Sequence, residues 1–196
     1  MWCNMYPTKM EANGHIYPIN TDYRVALKCI KIYKDNTLSG IEKYFAIEYL
    51  LLGENVDIND CAILQPKIDA YLRCGKEEND SEEEITYDYI QDEILTKTSI
   101  RQCYHINLNE IKMHWYEYNE LIGGLTEETV INRYREIRGK NPSEIQDEKQ
   151  RNKLIEIQNK IAIKETHIKT KNEEELDKFW DNITGGSWKK WAMMEK

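Results

Sequence analysis

The residues best equipped for chemistry gather in and beside one stretch, HINLNEIKMHWYEYNELIGGL, which runs from His105 to Leu125. Cys103 and His105 stand two apart, a thiol and an imidazole that together suggest a nucleophile with its base or half of a metal site. On a helix two such residues point in different directions. In a strand they share a face, but no third ligand or orienting group accompanies them. His114 lies one turn from Glu110 and within reach of Glu117, the partners a general base would want. The same surroundings suit a histidine at the edge of an apolar face, its ring packed and its nitrogens hydrogen-bonded, and this reading needs nothing further. Motifs that would raise the chemical reading, GxSxG, GxGxxG, HExxH and the phosphate-binding P-loop, do not occur. The sequence therefore predicts no catalytic residue, metal site or cofactor.

The remaining reactive and charged residues fit the same picture. Five cysteines, Cys3, Cys29, Cys61, Cys74 and Cys103, are odd in number and form no CxxC pair, as expected of reduced thiols in a cytosolic protein. A net charge of −8 disfavours broad attraction to nucleic acid or anionic membrane. Glu77 to Glu84 holds six acids in eight residues and reads as a solvated acidic loop, at about 76–85. From Arg133 to Lys171 eleven Lys or Arg face six Asp or Glu. This basic stretch could serve a small nucleic-acid-binding regulator, but it lacks the interleaved aromatics of a single-strand groove, so a surface helix with pairs such as Glu156 and Lys160 is expected. The most apolar run, YFAIEYLLL, is interrupted by Glu48 and is too short to span a bilayer, and the N-terminus has no signal-peptide pattern.

Helical spacing dominates the elements that must carry these residues. The fold expected is mainly α, a compact domain of six to seven helices over residues 1–170, preceded by a short β-hairpin and followed by an amphipathic tail at 171–196. Asn13-Gly14 supplies the hairpin turn. Thr21 is the expected cap of a first helix carrying Val25, Ala26, Cys29, Ile30 and Tyr33. Ser39 caps a second that Gly53 closes, and a third runs from about Asn59 to Leu72 through Pro66, with Gly75 as its stop. A fourth is expected from near Tyr87 towards Cys103 with Ile90, Ile94, Leu95 and Thr98 on one side. Asn107 and Glu110 read as a capping box for a fifth, whose stripe is Ile111, Trp115, Tyr118 and Ile122 and whose end is a left-handed Gly123-Gly124. Thr126 is read as the next cap, before Val130, Ile131, Tyr134 and Ile137. The last long helix is expected from Ser143 to about Lys164. In the tail, Leu176, Phe179, Trp180 and Ile183 share one helical face, and Trp188 and Trp191 follow. Either these aromatics fold back on the domain or they dock on a partner or a second copy, with Phe179, Trp180, Trp188 and Trp191 as the contact residues.

The order of several motifs resembles the phage tail-region family called gene product fifteen, found in long-tailed phages and prophages of Gram-positive bacteria. The matching stretches are YPINTDYRVALK, LSGIEKYFAIEYLL, YDYIQDEI, YHINLNEIKMHWYEYNELIGGL and REIRGK, between about residues 12 and 165. The family pattern falls here on Asp22, Arg24, Asn107, Leu108, His114, Trp115, Tyr118, Gly124 and Leu125, in structural roles. Asn107 stands where the family usually has Asp, TKTSIRQC lacks the usual aromatics before Tyr104, and the tail beyond Lys171 is outside the resemblance. The resemblance implies a non-enzymatic tail-assembly chaperone that coats the tape-measure protein until tail-tube subunits replace it, in contact with other tail-assembly proteins and with copies of itself. A structural subunit retained in the virion is the alternative.

Overall fold

The computed structural model describes residues 6–76, 85–164, 178–179 and 181–182. Among them are two strands, β1 (Lys9–Ala12) and β2 (His15–Pro18), and seven α-helices: α1 (Tyr23–Tyr33), α2 (Gly40–Leu52), α3 (Cys61–Leu72), α4 (Glu93–Tyr104), α5 (Trp115–Gly123), α6 (Val130–Arg138) and α7 (Glu148–Ile161). A 3₁₀ turn at Pro142–Glu144 precedes α7. The mainly α fold with an N-terminal hairpin is as the sequence predicts. The chain divides into two compact units, one within Met1–Glu78, Met113–Tyr116 and Thr166–Lys196, the other within Asn79–Lys112 and Glu117–Glu165.

In the first unit the hairpin follows its local chemistry. Asn13 (φ 48°) and Gly14 (φ 84°) both take the left-handed conformation, which sets β1 antiparallel to β2 with Ala12 opposite His15. Thr21 is not the cap of α1: Asp22 is, its carboxylate accepting from the Arg24 backbone N–H at 2.9 Å. Ser39 and Glu42 form the reciprocal capping box at the start of α2, and Gly53, at φ 88°, ends it. Pro66 sits inside α3 without breaking it. The α3 exit is left-handed at both Cys74 and Gly75. Tyr23, Cys29, Ile47, Leu51, Leu64 and Ile68 are buried between these helices. The short segment Met113–Tyr116 completes the unit, and its backbone pairs with the entry to α1: Tyr23 N–H donates to Met113 O at 3.0 Å and Trp115 N–H to Thr21 O at 2.9 Å.

In the second unit the structure corrects several expectations. The fourth helix starts at Glu93, not near Tyr87, and turns the other face inward: Thr96, Ser99 and Ile100 are buried, whereas Ile94 is 79% exposed. Two polar residues can line this core because their hydroxyls are used, Thr96 paired with the Tyr87 hydroxyl at 3.2 Å and Ser99 accepting from the Ile131 N–H at 3.3 Å. Asn107 does not begin a helix. His105, left-handed at φ 56°, ends α4, and the Asn107 and Glu110 side chains meet across an isolated turn in which the Asn107 oxygen accepts from the Asn109 N–H. Helix begins only at Trp115, so Ile111 lies outside it.

Neither Gly123 nor Gly124 is left-handed. Gly124 is needed for closeness instead: a Cβ there would stand 2.6 Å from the Tyr104 hydroxyl, which donates to Leu121 O at 3.1 Å. The sixth helix begins at Val130 after Thr129, whose hydroxyl donates to Thr126 O, so Thr126 lies before the cap position. The last helix is shorter than expected, because Asp147 restarts the chain after the 3₁₀ turn. Most of the tail, including Trp180, Trp188 and Trp191, lies outside the described residues, as does most of the acidic loop.

Candidate functional site

Four of the family-pattern residues meet in the first unit. Asp22 and His114 face each other as an isolated antiparallel bridge, with Trp115 next to it. The Asp22 carboxylate holds Arg24 twice, through its backbone and through Nη1 at 3.0 Å. The Trp115 indole is fully buried and its N–H donates to Leu72 O, at the end of α3, at 3.1 Å. His114 is half-buried and stacks on Tyr6 at 4.8 Å between ring centres. Its Nδ1 accepts from the Tyr116 N–H at 3.0 Å, so the neutral ring carries its proton on Nε2 and donates it to Pro7 O, also at 3.0 Å. Both nitrogens are thereby committed to backbone, which fits a ring that fastens the segment before β1 to the entry of α5.

A second constellation in this unit went unseen in the sequence. The Asp60 carboxylate, buried just ahead of α3, accepts from Asn13 Nδ2 at 2.6 Å, His15 Nδ1 at 2.7 Å and the Tyr17 hydroxyl at 2.5 Å. Burial alone would raise its pKa, but the hydrogen bonds from Tyr17, His15 and Asn13 outweigh it and hold the carboxyl below the usual range. The same hydrogen bond, followed by the charge of Asp60, raises the pKa of His15. The three donors come from the hairpin, 43 to 47 residues earlier, so no local spacing announces them. The arrangement locks the hairpin onto α3. Its donors leave the carboxylate no open side for a substrate.

The second unit holds Asn107, Leu108, Tyr118, Gly124 and Leu125. Leu108, Tyr118 and Leu125 are buried, and Asn107 accepts from Arg101 Nη2 at 2.7 Å. At its heart lies an ion pair, Arg138 with Asp92, whose side chains are 9% and 2% exposed. Arg138 donates to both carboxylate oxygens, at 2.6 and 2.9 Å, and also to Thr86 O and Ile161 O.

What this unit leaves on its surface is a groove of about 180 Å³ between α4 and the turn that follows it, lined by Ile94, Lys97, Thr98, Arg101, Asn107, Leu108 and Asn109. The helical residues fall at i, i+3, i+4 and i+7, one face of α4. The volume is below the roughly 300–1,000 Å³ of a small-molecule site. Sequence spacing groups Ile94 and Thr98 on one side of this helix, and the structure turns that side to solvent.

Of the tail residues, Phe179 is described: it is half-buried and meets the Phe45 ring of α2 edge-on at 5.7 Å. Among the described residues no group of three or more His, Cys, Asp or Glu is placed to hold a metal ion. No helix among them is long and apolar enough to cross a membrane.

Among the described residues the geometry is thus that of structural locks and a shallow groove on α4, and the comparisons agree with the resemblance in sequence. A family model described as bacteriophage Gp15 protein matches residues 4–163. No curated protein and no solved structure matches significantly. With most of its length matched, the chain belongs to the bacteriophage Gp15 protein family.

Proposed function

We propose that the chain is a non-enzymatic tail-assembly chaperone that binds the tape-measure protein in the host cytoplasm and leaves before the virion is complete. The observation that carries this reading is the exposed face of α4 in a member of a phage family, where Ile94 presents an apolar side chain to solvent beside an apolar groove. Ile94 is 79% exposed at the rim of this depression, so an apolar side chain seated there would bury it. A groove sized for one protruding side chain suits the helix-in-groove mode by which an amphipathic partner is held. Weak contacts repeated along a long helical client would allow later displacement.

The reactive residues support the absence of an enzymatic role, since His114 and Asp60 spend their hydrogen bonds on the fold. Three cations of the basic stretch are already engaged within the fold. Arg138 is turned inward to Asp92, Lys140 pairs with Glu136 at 3.0 Å and Lys160 with Glu156 at 2.6 Å. Co-expression with the tape-measure protein encoded beside it tests the proposal. The expected result is that the large protein becomes soluble and co-purifies with the chain. A tape-measure protein that stays insoluble, with nothing co-purifying, overturns it.

A further inference from the structure

The hairpin turn joins a labile dipeptide to a buried carboxylate. Asn-Gly occurs once in the chain, at Asn13-Gly14, and both residues are exposed. Asparagine is thermolabile because the next backbone nitrogen can attack its side-chain carbonyl, and a following glycine gives that nitrogen the least steric cover. Here the approach is clear, since no atom lies within 4 Å of where a Gly14 Cβ would stand. The amide at risk is also one of the groups that close the hairpin onto α3. Asn13 Nδ2 donates to Asp60 Oδ1 at 2.6 Å, whereas Asp60 Oδ2 takes His15 Nδ1 at 2.7 Å and the Tyr17 hydroxyl at 2.5 Å. Asp60 itself is 1% exposed, so its hydrogen bonds are not readily replaced by bulk water.

We propose that Asn13 is a site of spontaneous deamidation whose product releases the hairpin from α3. The Gly14 nitrogen bonds to the Asn13 side-chain carbonyl carbon, the amide carbon–nitrogen bond breaks, and ammonia leaves with the proton given up by the Gly14 nitrogen. Water then opens the cyclic imide at one or other carbonyl, giving aspartate or isoaspartate at position 13. Either product puts a carboxylate where a donor stood. Facing Asp60 Oδ1, it brings two like charges to hydrogen-bond distance at a site shielded from water, which is unfavourable for both. Asp57, whose backbone N–H donates to the Tyr17 hydroxyl at 3.3 Å, adds a further negative charge nearby. The tie to Asp60 restrains the amide while the hairpin is closed, so the reaction draws on hairpins that open, and its product cannot close again in the same way. The change therefore runs in one direction and loosens the strands that bury Met10, Ala12 and Tyr17. It does not depend on the chaperone reading.

The test has a chemical arm and a structural arm, both on the full chain. In the first, the protein is held in warm, mildly alkaline buffer and every asparagine is followed by peptide mapping with an isoaspartate assay. Aspartate and isoaspartate are expected at position 13 ahead of the other asparagines. An Asn13 still intact when others have converted overturns the proposal. In the second, Asn13→Asp, Asp60→Asn and the double variant are melted at neutral pH. Aspartate tolerates the left-handed turn, so N13D reports the lost lock rather than a lost turn, and its melting temperature is expected to fall by roughly 4–8 °C. N13D/D60N exchanges donor and acceptor: the new amide nitrogen at position 60 can donate to the new carboxylate, while its oxygen still accepts from His15 and Tyr17. The double variant is therefore expected to lose less than the sum of the single losses, and to regain folding if N13D alone fails to fold. N13D melting like wild type, or a double loss equal to or above the sum, breaks the link to Asp60 and overturns the proposal.

Discussion

Replacing Arg138 by Met keeps much of the aliphatic stem and removes the cation from the centre of the second unit. Its guanidinium is 9% exposed and donates four hydrogen bonds, two to Asp92 and one each to Thr86 O and Ile161 O. The substitution leaves a carboxylate that is 2% exposed, retaining the Asp88 N–H at 3.0 Å as a donor. Breaking a buried pair from one side costs about 3–5 kcal/mol, most of it the penalty of an uncompensated charge. Asp92→Asn strands the guanidinium instead, which still keeps two carbonyl acceptors, so its cost falls at or below the lower end of that range. In the double variant neither charge remains. The account therefore predicts that R138M/D92N loses less than the sum of the two single losses, by about 1–3 kcal/mol of coupling. Urea denaturation at neutral pH, followed by far-UV circular dichroism with the slope held common, measures all four corners of the cycle. Additive losses would mean that the two residues act independently, and would refute the ion pair as the feature that ties the start of α4 to the end of α6.

Other consequences can be checked separately. Asp60 has a folded pKa below its ordinary 3.8, so its contribution is present above that value and fades as pH falls through it. His15 has a pKa above its ordinary 6.5, so its contribution is full below 6.5 and is lost as pH rises. The hairpin lock should thus be strongest between about pH 4 and 6.5, and His15→Asn should flatten the alkaline side of a melting-temperature profile; an unchanged profile contradicts the network. Gly124→Ala should cost about 1 kcal/mol by displacing the Tyr104 hydroxyl from Leu121 O. The cost should shrink in a Tyr104→Phe background, and an equal cost there would show that the close approach is not the reason for glycine. Burial pushes the Cys29 thiol up to about 12, so peptide-level thiol labelling of the native chain should spare Cys29 and modify the half-exposed Cys74 and Cys103. Early labelling of Cys29 would place it outside the core. His114→Gln should lower the melting temperature, because the ring stacks on Tyr6 and its two nitrogens bond Pro7 and Tyr116. Unchanged melting with lost client binding would move His114 from packing to recognition.

Where structure is local, the sequence was readable. Asn13-Gly14 declares its hairpin because the turn demands two left-handed residues, and Ser39 with Glu42 declares the start of α2 because a capping box satisfies its own donors. Asn107 with Glu110 shows the limit of that logic. The two side chains bond each other instead of each other's backbone N–H groups, and helix waits until Trp115, because the peptide groups of Met113 and Trp115 are spent on Tyr23 and Thr21 some ninety residues earlier. The inward face of α4 was illegible for a related reason. Thr96 and Ser99 look like surface residues until Tyr87 and Ile131 supply partners for their hydroxyls, and Ile94 looks like core until those partners claim the opposite side. Asp60 and Arg138, the two charged keystones, make contacts across 23 or more residues at every bond quoted for them, beyond the reach of helical or strand periodicity.

The chaperone reading is met most directly by mass spectrometry on two fractions of one infected lysate: complexes captured on a tagged tape-measure protein, and finished particles. The account predicts the chain in the first fraction and its absence from the second. Its presence in finished particles at a fixed copy number, or its absence from the tape-measure complexes, would contradict the account.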